Sequence, residues 1–100
     1  NILYNINIKM KEDIIMLSIK EDLRKEVMEL PEKEQEKIYL AMVKVRKEIL
    51  KESKTKNISK SYLRAKEERN KLIKKYMPSI NLINRVVIAS LWAPLSNKFG

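Results

Sequence analysis

Eight cationic side chains are packed into one short stretch of the sequence: Lys54, Lys56, Lys60, Arg64, Lys66, Lys71, Lys74 and Lys75. With Arg69 they make nine basic residues between Ser53 and Met77, against two carboxylates, Glu67 and Glu68. This stretch therefore carries +7 of the formal net charge of +9. Charge so concentrated builds a local positive field that attracts polyanions or an acidic protein face. Lys and Arg at this density would hold phosphates and release counterions, which makes binding sensitive to salt. Ser59 and Ser61 stand near a presumed helix start, where hydroxyls and free backbone N–H groups favour phosphate. Tyr62 has a ring to stack on a base or pack on a sugar, and Asn57 an amide for limited readout. The competing reading is a solvated helix face in a lysine-rich protein.

Other chemistry is poorly served. The chain has no His and no Cys, and its only Gly is Gly100. No imidazole is present to shuttle protons near neutral pH. No glycine-rich loop is present to cradle a phosphate or dinucleotide. Thiolate metal ligands and disulfides are ruled out, which suits a reducing compartment. Ser53 and Lys56 match a Ser-x-x-Lys spacing, but nothing else of such a site accompanies them. Glu67 and Glu68 are consecutive and point apart on a helix, so Glu67 is expected to pair with Lys71 one turn on. Asn57-Ile58-Ser59 has the form of a glycosylation sequon, relevant only to a secreted chain. The expectation is a non-enzymatic protein without cofactor or metal.

The elements that must carry this charge are mostly helical. One hundred residues, 44% apolar and 35% charged, suit one small folded domain. The alternation of Tyr4, Ile6, Ile8 and Met10 with Asn5, Asn7 and Lys9 predicts a short strand or extended arm over 3–10. The chain does not begin with Met; Met10 and Met16 are candidate natural starts, with residues 1–9 as an added extension. No secretory leader is recognisable at the beginning. Ile15, Ile19, Leu23, Val27 and Leu30 then recur at helical spacing, predicting a helix over 13–30 that stops before Pro31. Ser18 and Glu21 have capping-box spacing, an alternative start for that helix.

A second helix is expected over 31–52, with Pro31 in its first turn and Ile38, Met42, Val45 and Ile49 as its buried stripe. The polar run 53–61 reads as a loop. A third helix follows over 60–76, capped by Asn57 or Ser59, its apolar stripe broken by Arg69. Pro78 ends it, and Ser79 is placed to cap a fourth helix over 80–92 that Pro94 terminates. Arg85-Val86-Val87-Ile88 is β-branched enough for a buried strand to compete. Residues 95–100 are expected to fray. The fold class is all-α, a small bundle of about four helices spanning 11–94. No apolar run is long enough to cross a bilayer.

Residues 57–64, Asn-Ile-Ser-Lys-Ser-Tyr-Leu-Arg, resemble the turn and recognition-helix start of a helix-turn-helix. The resemblance covers eight residues and departs upstream, where Glu52 and Lys56 replace apolar residues. A ribbon-helix-helix dimer, with Asn5, Asn7 and Lys9 facing the major groove, is the other comparison. Its strand would lie too far from the helix pair unless Ile15 to Ile19 is the strand, and Leu30-Pro31-Glu32-Lys33 replaces the usual small turn.

Two function classes result. The first is a small cytoplasmic nucleic-acid-binding protein, a regulator or a subunit of a nucleoprotein complex, that uses the Lys and Arg residues of 53–77. The second is a protein-directed inhibitor or adaptor of the antitoxin, anti-defence or immunity kind. In that reading the basic helix docks an acidic or nucleic-acid-binding groove. A homodimer or membership of a larger complex is compatible with both. Attachment to an anionic membrane surface is a weaker third reading.

Overall fold

The computed structural model describes residues 19–55 and 59–100, with backbone alone for 52–55. The expected strand over 3–10, the Ser18 capping box and the start of the first helix lie outside the described residues. What is described is helical: α1 over 19–28, α2 Glu32–Thr55, α3 Lys60–Tyr76 and α4 Arg85–Phe99. The fold is an all-α bundle, with four helices among the described residues, and no described helix is long and apolar enough to cross a membrane.

The core sits where the four helices meet at one end of α2. Leu23 and Val27 of α1, Ile38 and Met42 of α2, Ile73 of α3, and Val87, Leu91 and Leu95 of α4 fill it. Met77 and Ile80, from the connection after α3, complete it. The periodicity of the sequence explains most of this set, because i, i+4 neighbours share a helix face. Tyr39, Trp92 and Phe99 then seal the α2–α4 contact, with Tyr39 5.6 Å from Trp92 and 5.7 Å from Phe99 between ring centroids.

The other half of α2 runs beyond this core and, among the described residues, packs mainly against α3, with Arg46 reaching Trp92 of α4. α2 and α3 form a hairpin, with Val45 and Ala65 buried between them and Lys44 paired to Glu68 at 3.2 Å. Ile49, expected on the buried face, is instead 45% exposed, and Leu50 beside it is 67% exposed. The helix also continues through Thr55, so the loop expected from Ser53 begins later. No Gly or Pro interrupts that run, and lysines suit the negative end of the helix dipole.

The turn between α1 and α2 is organised by one buried side chain. Gln35 is 2% exposed, and its Nε2 donates to the carbonyls of Met28 at 3.1 Å and Leu30 at 2.7 Å. These are carbonyls that the end of α1 leaves without helical partners. The Gln35 Oε1 accepts from Lys98 Nζ at 3.0 Å, which ties the end of α4 to the same junction.

The fourth helix departs most from its expected bounds. It begins at Arg85 rather than residue 80, and its cap is Asn84, whose side chain accepts from Val87 N at 3.0 Å. Ser79 does not cap it; the Ser79 hydroxyl donates to Glu26 at 2.7 Å. Residues 80–84 are not helical and insert Ile80 and Ile83 into the core edge. Pro94 does not end the helix but lies inside it. Proline has helix-compatible φ, and its cost is a lost hydrogen bond and a clash with the preceding turn. Here Leu95, fully buried, and Phe99, packed against the core, extend the Val87–Leu91 stripe by two turns and offset that cost. Residues 95–99 are therefore ordered helix rather than a frayed tail. Arg85–Ile88, the candidate buried strand, is the first turn of α4.

Candidate functional site

The cationic segment is organised by the start of α3. Ser59 has extended backbone, and its hydroxyl accepts from Tyr62 N at 3.1 Å, fixing the register in which every later side chain emerges. Tyr62, Ala65, Arg69, Ile73 and Tyr76 then turn toward the rest of the bundle. Lys60, Arg64, Lys71, Lys74 and Lys75 emerge on the opposite side and are all exposed. At a rise of about 1.5 Å per residue, the stripe from Lys60 to Lys75 is about 22 Å long.

Among the described residues, few carboxylates answer this charge. Glu67 pairs with Lys71 at 3.4 Å on the same helix, and Glu68 is held across the hairpin by Lys44. Among the described residues no ion pair involves Lys60, Arg64, Lys66, Lys74 or Lys75. Surface pairs such as Lys71–Glu67 are weak, about 0–1 kcal/mol, so the stripe keeps most of its field.

The structure brings some expected site residues together and separates others. Lys60, Arg64, Lys71, Lys74 and Lys75 share one face; Lys66 lies at its flank, and Ser61 is exposed beside Lys60. Ser59 is occupied as a helix cap. Tyr62 is half-buried and faces away from the cationic stripe, toward α2 and α4. Lys56, Asn57 and the Lys54 side chain lie outside what is described. A shallow groove of about 450 Å³ runs beside the stripe, between Lys66, Asn70 and Lys74 of α3 and Asn81 and Leu82 of the following segment.

Behind α3 is a second concavity, of about 630 Å³, that the sequence did not reveal. Met42, Val45, Ile49 and Ile88 give it an apolar floor, with Tyr62 and Trp92 at its sides. Four cations line it (Arg46, Lys66, Arg69 and Arg85) and, among the described residues, no carboxylate does. Arg46 lies over the Trp92 ring, 3.8 Å from its centroid. Arg69 is 9% exposed, and its one hydrogen bond among the described residues runs from Nε to Asn70 Oδ1 at 3.1 Å. Burial lowers the Arg69 pKa from its ordinary value, while the nearby Tyr62 acts to raise it. Arginine titrates so high that the guanidinium remains charged near neutral pH.

The arginines of this cleft come from three helices and are scattered in sequence, so no run of charge announces them. The one available signal was Arg69, an arginine at a position that the apolar periodicity of α3 reserves for the core. No protein-family model matches the chain, and no curated protein or solved structure matches it at a significant level.

Proposed function

We propose that this protein is a small non-enzymatic nucleic-acid-binding protein, a regulator or a subunit of a nucleoprotein complex, that grips phosphates with the outer face of α3. One observation carries the reading: Lys60, Arg64, Lys74 and Lys75 project from that face without a carboxylate partner among the described residues. A row of cations on one helix face, of which only Lys71 is paired among the described residues, suits a regularly charged polymer, because each contact releases condensed counterions. The N-capped start of α3 adds the positive end of its dipole beside Lys60. A cytoplasmic location accompanies this reading. The test is binding of a single-stranded and a duplex oligonucleotide at two salt concentrations, with Lys60→Glu, Arg64→Glu and Lys71→Glu weakening both.

A second reading is a protein-directed inhibitor or adaptor, favoured by the apolar residues flanking the stripe. Leu63 is 53% exposed and Leu82 71%, and both border the groove shared with Lys66 and Lys74. Exposed leucines among lysines suit an acidic protein surface with apolar pockets. Failure to bind either oligonucleotide at low salt, with capture of an acidic partner instead, selects this reading.

A further inference from the structure

We infer that the cleft behind α3 receives an unstacked nucleotide, which makes single-stranded nucleic acid the preferred substrate class; the inference rests on the nucleic-acid reading above. The first support is Arg69. Only its Nε has a hydrogen-bond partner among the described residues, and no buried side-chain nitrogen there is left unsatisfied, so its other donors are accessible to a ligand rather than sealed in the core. Its remaining N–H groups belong to a side chain that lines the cleft. A phosphate there would accept from them in the forked geometry that arginine offers.

Charge and shape agree with this occupant. Arg46, Lys66 and Arg85 line the same space, so a ligand entering it must bring negative charge. The floor of Met42, Val45, Ile49 and Ile88 asks for an apolar or planar body attached to that charge. Arg46, over the Trp92 ring at 3.8 Å, puts a cation and an indole side by side where a base can stack. The volume of about 630 Å³ falls within the range of small-ligand pockets.

The cleft also adjoins the groove on the outer side, and the two share part of their walls. Lys66 and Ile83 line both this cleft and the shallow groove beside the cationic stripe. A flexible strand can follow the stripe, cross at Lys66 and turn one base inward. A duplex keeps its bases stacked and paired, and delivers none to such a cleft without flipping it out.

Trp92 is the only tryptophan of the chain, so its fluorescence reports occupancy of the cleft. The experiment titrates the full chain with a short single strand, the same strand carrying abasic sites, and its duplex, reading both oligonucleotide anisotropy and Trp92 emission. The expected result is about tenfold tighter binding of the single strand than of the duplex, with Trp92 quenched only by the strand that carries bases. Arg69→Met should lose the preference and the quenching while keeping binding through the stripe. Arg85→Glu, on an exposed side chain where an acid suits the start of α4, should do the same without burdening the fold. Equal binding of single strand and duplex with unchanged Trp92 emission overturns the inference and leaves the proposed function standing. Absence of binding to every oligonucleotide overturns both. Quenching by an acidic amphipathic peptide, with none by the single strand, overturns the inference in favour of a protein occupant.

Discussion

The Arg46 guanidinium covers the Trp92 indole at 3.8 Å, joining the middle of α2 to the middle of α4 at the mouth of the cleft. The contact holds an exposed, charged side chain in one orientation beside an apolar floor. Arg46→Ala should lower stability by about 0.5–1 kcal/mol, the usual worth of an exposed cation–π pair. Trp92 emission should shift as its face is uncovered. Arg46→Lys should retain part of the stability but not the broader guanidinium contact. Urea titration followed by Trp92 fluorescence checks both variants.

Gln35 is the second linchpin, and its role is structural. Gln35→Leu keeps much of the volume but strands the carbonyls of Met28 and Leu30 and removes the acceptor of Lys98. Buried groups left unsatisfied cost about 1–3 kcal/mol. The urea midpoint should therefore fall by that amount divided by an unchanged m value, since the surface exposed on unfolding is the same.

The proline inside α4 predicts a gain. Pro94 has no N–H to offer the carbonyl of Ser90, which sits one turn earlier in a buried position. Removing a mid-helix proline recovers about 3 kcal/mol at most, less about 1 kcal/mol for the freedom regained by the unfolded chain. Pro94→Ala should thus stabilise the protein by about 2 kcal/mol, read as a higher melting temperature. An unchanged or lower melting temperature would mean that the proline relieves strain rather than adding it.

The helix cap at Ser59 links stability to the cationic face. Ser59→Ala removes the acceptor for Tyr62 N and should cost about 1 kcal/mol. Ser59→Asp restores an acceptor and should recover most of the loss, while placing a negative charge beside Lys60. Thermal melts separate the two variants, and the Asp variant should bind oligonucleotides more weakly than its stability implies.

Much of this architecture was legible in the sequence where periodicity and punctuation agreed. α3 occupies 60–76 as its capping Ser59 and terminal Pro78 imply. The Leu23–Val27 and Ile38–Met42–Val45 stripes are buried as their spacing requires. Reading failed where one residue type admits two roles. Ser79 and Asn84 are both good caps, and tertiary contact decided between them: Ile80 and Ile83 pack from non-helical backbone, so the helix starts later. Pro94 reads as a stop, yet the burial of Leu95 outweighs it. The linear run of lysines exposed the outer face of α3. The cleft stayed hidden because Arg46, Arg69 and Arg85 are distant in sequence and meet only when three helices pack. Likewise, Gln35 carries no signal of its own; only the end of α1 folded against it gives it partners.

The central claim is that the outer face of α3 holds a polyanion through its unpaired cations. The most direct measurement is the slope of log affinity against log salt for a single-stranded oligonucleotide, in the native protein and in Lys60→Glu/Arg64→Glu/Lys75→Glu. The native chain should show a steep negative slope, each phosphate contact contributing about 0.7. The triple variant should bind more weakly and with a shallower slope by about 2, while melting at a similar temperature because all three side chains are exposed. An identical slope and affinity in the two proteins would contradict the account.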